Sequence, residues 1–101
     1  MPPPYKLEQA VLSEATRLFK AEDVASVLTA LRETELWAER SAPPPRVHIA
    51  VLWISKGDLR LFHQRLQWAH DDWRDVLLEA GLANENWREV LQRGGIDARH
   101  W

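Results

Sequence analysis

The chain has 101 residues, 46% hydrophobic and 28% charged, with a formal net charge of −2 at pH 7 and no cysteine. That length reads as one domain, and the apolar fraction is too high for a disordered chain. Absent thiols exclude disulfide frameworks, thiolate zinc sites and cysteine nucleophiles together.

Met1-Pro2-Pro3-Pro4-Tyr5 carries neither a basic n-region nor an apolar core, so no signal peptide is read and a cytoplasmic location is expected. The first four residues are expected to be a flexible end. The first apolar stripe then follows: Leu7, Val11, Ala15, Leu18 and Phe19 recur on one face of a 3.6-residue helix. Ala21–Asp23 interrupts it. Asp23 is the expected N-cap of a second helix, whose stripe runs through Val24, Val27, Leu28 and Leu31. Leu36 and Trp37 are left to cover its exit. The two helices are expected to form an antiparallel hairpin.

Residues 41–45, ending in Pro43–Pro45, read as a proline-rich connector, because consecutive prolines fix an extended chain and block a helix running through them. The proline runs lack the basic residue that SH3-like partners want, so a stiff connector is the better reading. Val47–Ile54 has the β-branched and aromatic content of a strand. No other segment could pair with it, and a lone strand would strand its own backbone donors and acceptors. A central helix, apolar on most sides, is therefore predicted, with Pro45 at or just before its first turn.

Lys56-Gly57-Asp58 is a helix–helix corner: Gly57 suits the left-handed C′ position and Asp58 the next N-cap. Leu59, Phe62, Leu66, Ala69, Trp73, Val76 and Ala80 then alternate spacings of three and four, one continuous seam. Asp71 and Asp72 are poor helix formers, so a bend or a break near residue 71 is expected without a change of buried face. Gly81 ends this run. Asn84 or Asn86 caps a last short helix with Trp87, Val90 and Leu91 on its buried side, Gly94-Gly95 stop it, and residues 95–101 are expected to be loosely held.

Arg46-Val47-x-x-Ala50-Val51-Leu52, Gly57-Asp58-Leu59 and Asp72-Trp73-Arg74-Asp75-Val76-Leu77-x-x-Ala80 resemble a family of short, uncharacterised bacterial proteins. The resemblance covers roughly residues 46–80. It implies a small all-α domain and carries no activity, since these motifs describe corners and a core stripe.

Residues that could carry chemistry are few. His63, Gln67 and His70 share a flank of the seam, but His63 and His70 stand about 10 Å apart along a helix axis, too far for one metal ion. His48 and His100 have no partner that the sequence identifies. Ser13, Ser26, Ser41 and Ser55 sit on no nucleophile elbow, and no phosphate-binding glycine loop is present. Asp71, Asp72 and Asp75 cluster, but capping and ion pairs account for them. No catalytic, metal or cofactor residue is predicted. A helix-turn-helix over about residues 72–92 can be aligned through Gly81, with Val76, Ala80, Leu82, Trp87 and Val90 at its apolar positions. Leu77 would crowd that crossing, and residues 71–101 carry net −3, against phosphate binding.

Charge is laid out in blocks: net −2 over residues 1–45, +3 over 46–70 and −3 over 71–101. Among the six tryptophans, Trp53, Trp73 and Trp87 fall on core stripes, whereas Trp68 falls opposite the seam with Leu61, Arg65 and Asp72. An exposed tryptophan beside an arginine is a candidate interface anchor. The expectation is an all-α, single-domain bundle of five or six helices with an N-terminal hairpin. Its expected function is that of a non-catalytic interaction or regulatory protein. It would self-associate or bind another protein through Trp68, Leu61, Arg65 and Asp72, and nucleic-acid binding at the 72–92 corner is the alternative.

Overall fold

The computed structural model describes residues 8–33, 44–99 and 101. Expectations for Pro2–Pro4, Leu7, Leu36, Trp37, Ser41, Pro43 and His100 fall outside these residues. Among those described, every regular element is a helix: α1 (Gln9–Leu18), α2 (Ala21–Glu33), α3 (Pro44–Ser55), α4 (Leu59–Ala80) and α5 (Trp87–Arg93). None of them is long and apolar enough to cross a membrane.

α3 is the centre. Val47, His48, Ile49, Ala50, Val51 and Leu52 are all buried, which is why its sequence shows no polar face. β-branched residues are mediocre helix formers. Here burial outweighs propensity, at about 1.5–3 kcal/mol for each enclosed aliphatic side chain. The helix begins at Pro44, inside the segment expected to be connector. A proline in the first turn forfeits no hydrogen bond and arrives with helical φ, so the run ends by starting the helix instead of preceding it.

Residues 56–58 join α3 to α4 as the sequence predicts. Gly57 has φ +76° and Lys56 also turns left-handed at +53°. The Asp58 carboxylate accepts from the backbone N–H groups of Arg60 (2.8 Å) and Leu61 (3.2 Å). Gly57 is needed for a second reason: a Cβ there would lie 2.5 Å from the Leu18 carbonyl oxygen, so the end of α1 is seated on this corner. Phe19, just beyond α1, meets Phe62 of α4 edge-on with ring centroids 5.7 Å apart.

α1 packs on α2 and α3, and α2 on α4. Asp23 is not the cap of α2. The helix starts at Ala21, and the Lys20 carbonyl accepts from Asp23 N–H (2.8 Å) and Val24 N–H (3.2 Å), which puts the Asp23 carboxylate in the first turn. Negative charge there still favours the helix N-terminus.

α4 is one helix with two arms. Asp72 has φ −153° and ψ 83°, an extended residue inside an otherwise helical run. The bend expected near residue 71 is here. Phe62, Leu66 and Ala69 are buried before it, Val76 and Leu77 after it, while Trp73 is only half-buried. The buried face therefore shifts across the bend: Leu77 takes a core place outside the predicted seam, and Trp73 moves partly into solvent. Trp53, also expected in the core, is half-buried as well.

Gly81, with φ +78°, closes α4, its N–H and that of Leu82 returning to the carbonyls of Leu77 and Leu78. Asn86 occupies the cap position of α5 without a side-chain hydrogen bond to the helix. The end of the chain is not loose as expected. Ile96 and Ala98 are buried, Ile96 N–H donates to Leu91 O (2.9 Å), and Arg88 Nη2 donates to the Trp101 carbonyl (2.6 Å). Two apolar side chains among polar neighbours give too weak a periodic signal to predict this docking.

Candidate functional site

The first arm of α4 positions the predicted interface residues. Leu61, Arg65 and Trp68 follow one another at helical spacings of four and three, on a flank about 100° round the helix from Phe62, Leu66 and Ala69, which face the core, and not on the opposite side as expected. All three are half-buried. The Arg65 guanidinium carbon lies 5.7 Å from the Trp68 ring centroid, within cation–π range. Trp68 rests one side on the core and leaves the rest accessible. Asp72 is exposed and stands at the end of this row, at the kink itself.

The Arg65 Nε–H is enclosed without an acceptor. Burying a donor on a charged group without a partner costs free energy, and native proteins rarely leave one so. Among the described residues, ion pairs form only between close sequence neighbours: Arg17–Glu14, Arg93–Glu89 and Arg99–Asp97, with His70–Asp71 a fourth only when the imidazole is protonated. The basic 46–70 block and the acidic 71–101 block do not cancel each other through such pairs, apart from the His70–Asp71 junction at 3.7 Å.

Tryptophan and arginine are paired throughout. Arg74 lies 5.2 Å from the Trp73 ring centroid. Trp87 has two such neighbours, Arg46 at 4.7 Å and Arg88 at 4.2 Å. Arg46 also donates through Nε (2.8 Å) and Nη2 (2.5 Å) to the Leu82 carbonyl, tying the start of α3 to the turn before α5. Burial, and then the nearby Arg88, lower the Arg46 pKa. This clamp is structural, because Trp87 is buried beneath it.

His63 and His70 both lie on the first arm of α4. Gln67 Nε2 donates to Asp71 Oδ1 at 3.3 Å, and His70 Nδ1 is 3.7 Å from the same oxygen. His63 is exposed beside Phe62, and no group of three or more metal-ligating side chains forms among the described residues. His48 is enclosed in α3, and burial pushes its imidazole down to about 4, so it is neutral at pH 7. Ser55 is buried with its hydroxyl donating to the Val51 carbonyl, a bond within the helix. At the 72–92 corner the residues between Gly81 and Trp87 form a longer link than a three- or four-residue turn, and α5 begins at Trp87 with seven residues.

Glu14 was missed. It is 5% exposed, held by a two-pronged contact from Arg17 Nε (2.7 Å) and Nη2 (2.8 Å) and by the Trp53 indole N–H at 2.5 Å. The Arg17 hydrogen bonds lower its pKa, burial opposes them, and the Trp53 bond lowers it further. A signal existed: Glu14 lies between Val11 and Leu18 on the apolar stripe with Arg17 three residues on. Leu78, 63% exposed on the second arm of α4, was not anticipated either. Comparison with family models, curated proteins and solved structures found no significant match to this chain.

Proposed function

We propose that the chain is a non-catalytic interaction protein that self-associates through the outward row of the first α4 arm, with Trp68 at the centre of the contact. The Arg65–Trp68 pair carries this reading. It joins a half-buried indole to a half-buried guanidinium, and tryptophan and arginine are enriched among interface hot spots. Leu61 extends the row on one side and Asp72 closes it on the other.

The occupant that the charge layout favours is a second copy. A twofold axis brings each residue opposite its own mate's neighbourhood, so the +3 block of one copy can face the −3 block of the other. A cytoplasmic location accords with the absence of cysteine.

Sedimentation velocity on the parent and on Trp68→Ala, beside circular dichroism, tests the proposal. The expected result is a dimerising parent and a more weakly associating variant with unchanged helicity. A parent that stays monomeric at high micromolar concentration overturns it. So does a variant that loses helicity and association together, because Trp68 then serves the core.

A further inference from the structure

Arg65 and Glu79 are fourteen residues apart, about 21 Å along a straight helix at 1.5 Å per residue. Yet both line one cleft of about 340 Å³, together with Trp53, Ile54 and Lys56 at the end of α3 and Ala80 at the end of α4. The kink at Asp72 makes this possible by folding the second arm of α4 back toward the α3–α4 corner.

The walls have a definite chemistry. Trp53, Ile54 and Ala80 are apolar. Lys56 and Arg65 are cationic, Glu79 is anionic, and no ion pair joins either cation to Glu79. A simple anion would be opposed by Glu79, and a simple cation by two basic groups. A ligand bearing both charges close together satisfies all three, and an apolar substituent completes the contact with the walls. The volume lies at the lower end of ligand-site sizes, suited to a molecule of few atoms.

We propose that this cleft binds a free apolar α-amino acid. The carboxylate is directed to Lys56 and Arg65, the ammonium to Glu79, and the side chain rests against Trp53, Ile54 and Ala80. The site overlaps the self-association surface at one residue. Arg65 is common to both, but Lys56, Glu79 and Trp53 are not.

The test is an NMR titration of the full ¹⁵N-labelled chain, following the Trp53 indole N–H, with L-phenylalanine as probe. N-acetyl-L-phenylalanine and L-phenylalaninamide are the controls that remove one charge each. The expected result is a saturable shift with L-phenylalanine at millimolar concentration or below, and none with either control. Glu79→Gln and Lys56→Gln, both at exposed positions, are each expected to weaken binding about tenfold or more without altering the rest of the spectrum. A shift that fails to saturate overturns the proposal. Equal binding of a charge-blocked control, or an unchanged Kd in Glu79→Gln, also overturns it, since either shows that the paired charges are not read. Sedimentation behaviour has no bearing on these outcomes, so this proposal and self-association fail separately.

Discussion

The Trp53 indole N–H donates to the Glu14 carboxylate at 2.5 Å, a bond between α3 and α1 that holds a nearly enclosed charge. The same indole lies flush on the far end of the fold: a Cβ on Gly94 would come within 2.9 Å of its ring. Trp53→Phe keeps most of that packing and removes the donor. A loss of about 1.5–3 kcal/mol is expected, the range for hydrogen bonds to charged groups. Chemical denaturation of parent and variant measures it, and an unchanged midpoint would show that Arg17 alone satisfies Glu14.

Gly57 and Gly81 have nearly the same φ, +76° and +78°, in different surroundings. A Cβ at Gly81 meets nothing within 4 Å, whereas at Gly57 it meets the Leu18 carbonyl. Gly81→Ala should therefore cost only the left-handed strain, about 1–2 kcal/mol. Gly57→Ala should cost clearly more, because α1 must also be pushed off the corner. Thermal melts of the two variants decide the matter, and equal losses would remove the role given to Leu18.

Phe62 is fully enclosed and meets Phe19 edge-on, while Trp73 on the same helix is half-buried. Phe62→Ala is expected to cost about 3–5 kcal/mol, a large part of the stability of a domain this size. Trp73→Ala should cost distinctly less. Urea unfolding of both variants checks the order, and its inversion would place the core on the other side of the kink.

His48 sets an acid limit. Its folded-state pKa is depressed from 6.5 to about 4 by burial. Above pH 6.5 the ring is neutral in both states. Below that, the unfolded chain takes up a proton that the folded chain refuses, so stability falls as pH drops from about 6.5 to about 4, by about 3 kcal/mol in all. Glu14, whose pKa is also lowered on folding, loses its contribution on the same acid side, as pH falls through its folded value. Stability measured against pH in His48→Leu should show a flatter slope between pH 6.5 and 4. An identical slope would show that other groups set the acid limit.

Which features could be read from the sequence depends on how far apart their causes lie. Gly57 and Asp58 act within four residues of chain, so the corner and its cap were legible. The central helix was legible by elimination, because Val47–Ile54 had no strand partner. Asp72 was legible as a bend but not in its consequences. Which way the second arm turns decides that Leu77 is buried, that Trp73 is half-exposed and that Glu79 and Arg65 line one cleft, and no periodicity encodes that direction. Asp23 misled for a local reason: it is a good cap in isolation, but the Lys20 carbonyl already starts the helix three residues earlier. Ile96 and Ala98 were illegible because their burial depends on a surface built by distant residues.

The three-residue corner also bears on how the chain assembles. Closing so short a link costs little entropy, and α3 and α4 pack together more extensively than any other pair of the described helices. Arg46 meets the Leu82 carbonyl across 36 residues of chain, and it can do so only once α4 is complete. Folding is thus expected to spread from the middle of the chain outward, with α5 and the terminal segment arriving last. In kinetic terms, Val51→Ala and Phe62→Ala should slow folding, while Leu91→Ala and Ile96→Val should chiefly hasten unfolding.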